Sequence, residues 1–334
     1  KLRGTYGEVG NDKIGGDRFL YLPSVYGETS GNLSGYNYVV DWGDGSPTEV
    51  FIDNTTPSHT YANANTNYTI TISGTFPGGT FDPVVYGNNL GYPVGFTLPN
   101  KLVKLDQLGT GVWRRMDNMF KDCKNLEANY TDSPNTSQIT NMSNMFYGAT
   151  KFNGAVNFNT SQVTNMSYMF AYAYTFNQPL NFNTSQVVNM GSMFKRTVAF
   201  NQPVNFDTSS VVDMSHMFSE VRDFAYPINF NALSVTNASY MFYNASNFNQ
   251  PVTLNNSNAL KTTQSMFKGA KKFNNTLTLN TSSVTNMSYM FDGASAFNQP
   301  VNFDTSSVVD MSSMFDGAKT FNQSVNFDTS QVVN

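Results

Sequence analysis

The 334-residue chain contains few of the residue types on which catalytic and metal sites depend. It has one cysteine, Cys123, and two histidines, His59 and His216. A single cysteine excludes a disulfide within the chain. Two histidines leave little material for an acid–base pair or a metal cluster. We therefore expect a protein that is not an enzyme and has no bound cofactor.

Charge and long apolar segments are scarce as well. Only 13% of the residues are charged, and the formal net charge is −4. The lysines and arginines are scattered, so no basic stripe is available to a phosphate backbone, and we exclude nucleic acid as a partner. No segment approaches the roughly 20 apolar residues that cross a bilayer. The sequence therefore predicts no transmembrane segment.

What the sequence has in abundance is a repeat of about 24 residues, marked each time by a Met-Phe pair. All 16 methionines occupy one of two positions in this repeat. Periods of this length are typical of solenoids, in which each unit packs only on its neighbours. The phenylalanines of the pairs are Phe120, Phe146, Phe170, Phe194, Phe218, Phe242, Phe267, Phe291 and Phe315.

The repeats divide the chain into two expected domains. We assign residues 99–334 to the array, with about nine repeats, and residues 1–98 to a separate domain. The chain starts at Lys1 and stops at Asn334, where a further Met-Phe segment is due, so we expect the array to be a truncated piece of a longer polypeptide.

The first half of each repeat has helical spacing. Val163, Met166, Phe170 and Ala173 form one apolar stripe. Asn-Thr-Ser or Asp-Thr-Ser precedes it and could cap a first turn. Glycine follows it in four copies, where a chain leaves a helix through a left-handed residue. The pattern predicts a short helix in every repeat; these glycines are Gly148, Gly269, Gly293 and Gly317.

Two chemically interesting residues fall at repeat positions of this half. His216 stands where other repeats have Tyr168, Tyr240 or Tyr289, so we expect an exposed variant of the repeat. Cys123 stands where other repeats have alanine, so we expect a small core residue.

The second half of each repeat predicts a short strand. Val204-Asn205-Phe206 and Val301-Asn302-Phe303 alternate between apolar and polar residues. Eight such strands, stacked in parallel, would form one sheet, with the helices on the other side. The sequence therefore predicts an α/β solenoid with a short helix and a short strand in each repeat.

The array resembles a known family in its repeated motifs. The string FNQPVNFDTSSVVDMSHMF and the small residue three positions after each Met-Phe pair are similar to the repeats of BspA-type leucine-rich-repeat bacterial surface proteins. The resemblance covers roughly residues 101–334. It implies a leucine-rich-repeat-like solenoid located on the cell surface or outside the cell, acting in adhesion.

The N-terminal domain resembles a second family. The segments YNYVVDWGDGSPTEV and HTYANANTNYTITISG, within residues 36–75, are similar to PKD-type domains. Asp44-Gly45 is a hairpin dipeptide, and Tyr68, Ile70 and Ile72 alternate as in a strand. The resemblance implies an all-β immunoglobulin-like sandwich in residues 1–98, with RFLYLPSV as one of its first strands.

Two aspartates of this domain are candidate metal ligands. Asp41 and Asp44 could bind calcium, since hard cations prefer clustered carboxylate oxygens. The alternative is that both are turn residues that accept backbone hydrogen bonds.

A binding face is predicted on the outward side of the stacked strands. It consists of an amide row, which is Asn157, Asn181, Asn205, Asn229, Asn302 and Asn326, and a neighbouring Gln row, which is Gln178, Gln202, Gln250, Gln299 and Gln323. Amides in such rows could hydrogen-bond one another along the stack, or they could bind a glycan or another polypeptide through many weak contacts.

Three functions remain open from the sequence. The first is a non-enzymatic extracellular surface protein, adhesive or structural, whose partner is a protein or glycan of a host or neighbouring cell. The second is a fibre or surface-layer subunit that binds itself head to tail through the ends of the solenoid. The third is a lattice-binding or glycan-binding module appended to an enzyme elsewhere in a longer chain, suggested by a row of threonines that includes Thr184, Thr208 and Thr305.

Overall fold

The structure is a computed structural model with two compact units, Lys1–Gln162 and Val163–Asn334. The domain boundary predicted at residues 98/99 lies outside the described residues and stays a prediction. The structure describes residues 2–6, 19–21, 37–51, 58–60, 68–75, 102–108, 113, 116–128, 130 and 132–333.

The first unit contains eight strands within its described residues. Six of them form one sheet in the order β4-β3-β6-β1-β7-β8, in which only the β7/β8 pair is parallel, and β2 pairs with β5. The strands are β1 (Leu2–Tyr6), β2 (Phe19–Tyr21), β3 (Asn37–Asp41), β4 (Glu49–Phe51), β5 (Ser58–Thr60), β6 (Tyr68–Thr75), β7 (Leu102–Gln107) and β8 (Glu127–Ala128).

A tryptophan is buried beside the β3–β4 hairpin. Val40 and Trp42 are both fully buried, and the Trp42 indole N–H donates to Glu49 Oε1 over 2.9 Å. Gly43 has a φ of 76°, and a Cβ at this position would overlap the carbonyl oxygen of Thr69 in β6. Glycine is therefore required here both by conformation and by close packing.

The prediction of a helix in each repeat is wrong, because the described residues contain no helix. Each repeat instead has a turn half, residues 165–173 in one example, and an extended half, residues 176–184. The turn half forms successive tight turns. In the described part of the chain there is accordingly no helix with the length and hydropathy to span a membrane.

The hydrogen bonds of the turn half explain this difference. The N–H groups of Tyr168 and Phe170 donate to the carbonyls of Gly191 and Met193 in the next repeat, both over 2.9 Å. The N–H of Ala171 donates to Tyr168 three residues earlier, over 3.1 Å. An α-helix needs bonds between residues four apart within one segment. In the turn half every second backbone N–H instead donates to a carbonyl of the next repeat. The spacing of three and four between apolar residues therefore arises from stacked turns.

Left-handed residues interrupt each turn half twice. A first left-handed position has φ values of 50–58° and a second has 54–73°. Residues in this conformation end a helical turn. The four glycines assigned to helix ends do lie at the second position, but they leave a turn. The first position holds Asn118, Asn144, Tyr168, Ser192, His216, Tyr240, Ser265, Tyr289 and Ser313.

The extended half forms strands in only some repeats, so a strand in every repeat is also wrong. In the second unit they are β9 (Ile228–Asn231), β10 (Val252–Asn255) and β11 (Leu277–Leu279), paired in parallel. Side chains also link the repeats at the start of this half: the N–H of Asn201 donates to Asn177 Oδ1 over 2.9 Å. The same link, from the N–H of Asn274 to Asn249 Oδ1 over 2.9 Å, joins the repeats that carry β10 and β11.

Two columns of phenylalanine form the core of the second unit. One column contains the Met-Phe rings: Phe194 and Phe218 are stacked with centroids 5.6 Å apart. The other contains the phenylalanine six residues later, and Phe200 and Phe224 are 6.1 Å apart. All four side chains are at most 2% exposed. Each buried ring contributes roughly 1.5–3 kcal/mol to stability, which makes these columns the main source of cohesion between repeats.

Candidate functional site

The amide row lies on the surface in both units. All six of its asparagines are exposed. They alternate with buried apolar residues, such as Val204 and Phe206 on either side of Asn205. One of the six has a bond to a neighbouring repeat: Asn229 Oδ1 accepts from Asn255 Nδ2 over 2.8 Å. The row thus presents amide donors and acceptors in six repeats, with Thr253 and Thr278 interrupting it between Asn229 and Asn302.

The Gln row is part of the hydrogen bonding between repeats. Its five glutamines are only partly exposed. The Nε2 groups of Gln202, Gln299 and Gln323 donate to asparagine Oδ1 atoms of the preceding repeat over 3.2, 3.0 and 3.1 Å. Three of the five amides therefore hold repeats together, which leaves the amide row as the more available part of the predicted face.

The threonine row is buried except for Thr329 in the last repeat. Thr184 Oγ1 and Thr208 Oγ1 donate to the carbonyls of Asp207 and Asn231 in the following repeats over 2.9 and 3.0 Å. Both side chains are at most 1% exposed. These threonines link repeats and present no surface to a lattice.

The two candidate calcium ligands accept backbone hydrogen bonds. Asp41 Oδ1 accepts from the N–H of Gly43 over 2.9 Å, and Asp44 Oδ1 accepts from the N–H of Ser46 over 3.0 Å. Such bonds fix the turn between β3 and β4. No group of three or more His, Cys, Asp or Glu residues suited to a metal ion occurs within the ranges that the structure covers. Calcium binding at Asp41 and Asp44 stays a prediction.

The buried surroundings of the core cysteine make its thiol unreactive. Cys123 is 1% exposed. Burial, together with the nearby negative charge of Asp122, raises the pKa of its thiol far above the ordinary value. The thiol is therefore protonated at neutral pH and is a poor nucleophile or metal ligand.

A cleft that the sequence did not reveal opens on the turn halves of the second unit. Its volume is about 320 Å³. Five successive repeats contribute to it, and we call it the turn cleft. Its central residues are Lys195, His216, Ser219, Tyr240, Ser265 and Tyr289.

Two serines lie among the larger residues that line the turn cleft. Ser265 occupies the first left-handed position, where the flanking repeats have Tyr240 and Tyr289. Ser219 directly follows its Met-Phe pair, where the flanking repeats have Lys195 and Tyr243. At both positions a small side chain stands between large ones. Both serine side chains are buried beneath their larger neighbours, with Ser219 0% and Ser265 2% exposed.

His216 is half-buried in this cleft and is not the exposed variant that its repeat position suggested. Its ring stacks on Tyr240 with centroids 4.5 Å apart and planes 4° apart. Burial, followed by the positive charge of Lys195, lowers the pKa of His216 to about 4, while Asp213 and Glu220 act in the opposite direction. The imidazole is therefore neutral at pH 7.

Two polar atoms at the cleft are left without partners. His216 Nδ1 and Ser219 Oγ are buried and have no hydrogen bond to any described residue. Ser219 is fully buried. An unpaired buried polar atom costs about 1–3 kcal/mol, so such atoms often mark a place where a ligand or water binds.

Three charged side chains line the turn cleft, namely Lys195, Glu220 and Lys268, and the last two form ion pairs. Glu220 Oε1 lies 2.8 Å from Arg196 Nε. Lys268 Nζ lies 2.6 Å from Asp292 Oδ2 and also lies over the Tyr289 ring, 4.4 Å from its centroid. The cleft thus combines aromatic side chains with two lysines and one glutamate.

Comparison with known proteins identifies a family for the repeats. Residues 114–205, 204–279 and 275–334 each match the family described as Mycoplasma protein of unknown function, DUF285. The three matches follow one another and together span about two thirds of the 334 residues. No curated protein and no solved structure matches the chain.

Proposed function

Because the chain belongs to the DUF285 family of Mycoplasma proteins of unknown function, we propose that it is a non-enzymatic repeat protein acting outside the cell. In this proposal it contributes to adhesion, or to the structure of the cell surface, through its amide row. The partner is a protein or glycan on a host or neighbouring cell.

The exposure of the amide row is the observation that carries this proposal. Each asparagine amide offers two donors and one acceptor oxygen, so the six repeats that carry it present the same hydrogen-bonding group. Each contact alone is weak. Contacts with a partner that is itself repetitive add through effective concentration, and overall avidity can exceed that of one contact by a factor of about 10²–10⁴.

The two sequence resemblances support an extracellular location. BspA-type repeats and PKD-type domains belong to surface proteins, and the motifs FNQPVNFDTS and WGDGSP carry these resemblances here. The low share of charged residues, 13%, also suits a surface that binds by uncharged hydrogen-bonding groups.

A binding array with two variants tests the proposal. The full chain is applied to immobilised glycans and extracellular matrix proteins, beside a variant in which Asn205, Asn229 and Asn302 are changed to alanine. We expect at least one ligand that the wild type binds and that the variant binds at least about tenfold more weakly.

A matched variant controls for nonspecific loss of surface. Val188, Val212 and Val309 are 38–44% exposed and lie at another repeat position. Changing these three to alanine is expected to leave binding unchanged. Equal binding by the wild type and the asparagine variant would contradict the proposal. Binding only to immobilised copies of the chain itself would instead indicate self-assembly.

A further inference from the structure

Four basic side chains that are scattered in the sequence come together on the surface of the second unit. Arg222, Lys271 and Lys319 occupy one repeat position, between the turn half and the extended half, and Lys272 directly follows Lys271. All four side chains are exposed. We call Arg222, Lys271, Lys272 and Lys319 the basic row.

Hydrogen bonds join this repeat position into one continuous line over five repeats. At each step the residue that follows the position donates to the carbonyl of the same position in the preceding repeat. Backbone N–H groups do so from Asn247 to Arg222, from Lys272 to Ser246 and from Ala296 to Lys271, over 3.2, 3.1 and 3.1 Å. The last step uses a side chain, since Thr320 Oγ1 donates to the carbonyl of Ser295 over 3.0 Å.

Cations and hydroxyl groups alternate along this line. Ser246 stands between Arg222 and Lys271, and Ser295 stands between Lys271 and Lys319. The phenylalanine rings two residues further along the chain are 5.7–6.1 Å apart in successive repeats. A cation therefore recurs at every second step, at roughly twice this distance, with a serine between each pair of cations.

The charge of the basic row is not neutralised by ion pairs. None of its four residues forms one with any residue that the structure describes. Two carboxylates lie close along the chain, those of Asp223 beside Arg222 and of Asp316 near Lys319. Four positive charges against two negative ones leave a local positive excess, although the whole chain has a net charge of −4. An anionic partner would therefore be attracted to this part of the surface.

The spacing of the cations favours a polymer whose negative charges are well separated. Duplex DNA carries one negative charge per about 1.7 Å of its axis, far more than a cation at every second repeat can neutralise. A polysaccharide in which a uronate alternates with a neutral sugar has one carboxylate for every two rings. Its alternation of charged and uncharged units matches the alternation of cations and serines.

We propose that the basic row binds a linear acidic polysaccharide in which uronate and neutral sugar units alternate. Carboxylates pair with Arg222, Lys271 and Lys319, and hydroxyl groups of the neutral rings hydrogen-bond Ser246 and Ser295. Each ion pair is weak because the cations are exposed, so binding requires several carboxylates in one polymer. The basic row and the amide row occupy separate repeat positions, and this site therefore goes beyond the proposed function.

Isothermal titration calorimetry of the full chain tests the site. The probe is a hyaluronate decasaccharide, in which glucuronate alternates with N-acetylglucosamine. Comparison probes of similar length are an oligogalacturonate, which has a carboxylate on every ring, an oligothymidylate and an uncharged dextran oligosaccharide. We expect the hyaluronate probe to bind most tightly of the four, with an affinity that falls as salt is added.

The repeats themselves supply the variants. Changing Arg222, Lys271 and Lys319 to serine gives each position the residue that the intervening repeats already carry there, at Ser246 and Ser295. We expect the affinity of this triple variant for the hyaluronate probe to fall by at least about tenfold. Lys271→Ser alone should lower it by about twofold to fivefold.

A matched control removes the same charge elsewhere in the same repeat. Lys261 is exposed and stands where the neighbouring repeats have Thr236 and Thr285. Lys261→Thr changes the net charge as Lys271→Ser does, but it leaves the basic row intact. We expect Lys261→Thr to bind the hyaluronate probe as the wild type does.

Several outcomes would overturn the site. They are the absence of hyaluronate binding, equal or tighter binding of any comparison probe, wild-type affinity in the triple variant, and equal losses in Lys261→Thr and Lys271→Ser. Thermal unfolding checks each variant, and if the triple variant does not fold, the comparison of Lys271→Ser with Lys261→Thr decides the question. The variant with alanine at Asn205, Asn229 and Asn302 should bind the hyaluronate probe normally, so a failure of the adhesion proposal does not change this result.

Discussion

The two halves of each repeat are joined to their neighbours by different chemistry. In the turn half the backbone makes the bonds, as from the N–H of Phe194 to the carbonyl of Met217 over 3.0 Å. In the extended half side chains make many of them, as from Thr208 Oγ1 to the carbonyl of Asn231 over 3.0 Å. The side-chain links are absent where the residue changes, as at Ala232, which stands at the position of Thr208 and bonds the next repeat only through its backbone N–H.

The residue types at equivalent positions follow this difference. Exposed positions of the turn half carry tyrosine, serine, histidine, lysine or glutamate in different repeats, and the turn cleft arises from that variation. The extended half has Asn, Gln and Thr at its linking positions in most repeats, with Ala225, Tyr226 and Ala232 as exceptions in one repeat. The turn side is therefore the more variable of the two surfaces.

The core beneath both halves should give the largest effect on stability. Phe218 is fully buried and stacks on Phe194, Phe224 and Phe242. We expect Phe218→Ala to lower the free energy of unfolding by roughly 3–5 kcal/mol, because it leaves a cavity between repeats. Urea unfolding followed by circular dichroism measures it. Tyr289→Ala, at a side chain that is 36% exposed, is the control and should cost less than about 1 kcal/mol.

Side-chain links should give the next largest effect. Thr208→Val keeps the shape of a fully buried side chain but leaves the carbonyl of Asn231 without its donor. We expect a loss of about 1–3 kcal/mol in the free energy of unfolding, measured by the same urea titration. Thr278→Val, at an exposed threonine of β11, should change stability by less than about 0.5 kcal/mol. Equal effects of the two changes would remove the distinction between linking and free side chains.

The smallest effect concerns a turn residue. The pKa of His216 is lowered from 6.5 to about 4 in the folded chain by burial and by Lys195, against the opposing charges of Asp213 and Glu220. The unfolded chain therefore takes up a proton first as pH falls. The neutral histidine's contribution is complete above pH 6.5 and is lost as pH falls towards 4.

His216→Tyr should remove this part of the pH dependence, about 1 kcal/mol once solvent screening of a half-exposed group is considered. The measurement is the unfolding free energy of both proteins at pH 7.5 and at pH 4.5. If the variant and the wild type lose equal stability between these values, His216 is not the titrating group.

The sequence predicted the repeats well, because the Met-Phe pairs and their spacing record which residues face the core. Met166 and Phe170 are fully buried, as their spacing indicated. The helix was wrong because a spacing of three and four does not distinguish a helix from successive tight turns. The signal against a helix lay at the two left-handed positions. The first holds Asn, Ser or Tyr in most repeats, and the second holds glycine in four.

The candidate site was only partly within reach of sequence reasoning. The exposed asparagines of the amide row follow from alternation, as with Asn205 between Val204 and Phe206. The role of Gln202 in bonding to Asn177 depends on the offset between repeats, which the sequence does not state. The turn cleft lies where Ser219 and Ser265 interrupt rows of larger residues, which is a departure from the repeat and not a part of it.

Scalar couplings across hydrogen bonds, observed by NMR in labelled protein, test the central claim most directly. We predict a coupling between the amide nitrogen of Phe194 and the carbonyl carbon of Met217, since these groups are bonded between repeats over 3.0 Å. A coupling from Phe194 to the carbonyl of Met190, four residues earlier in the same repeat, would show a helix and would contradict the account.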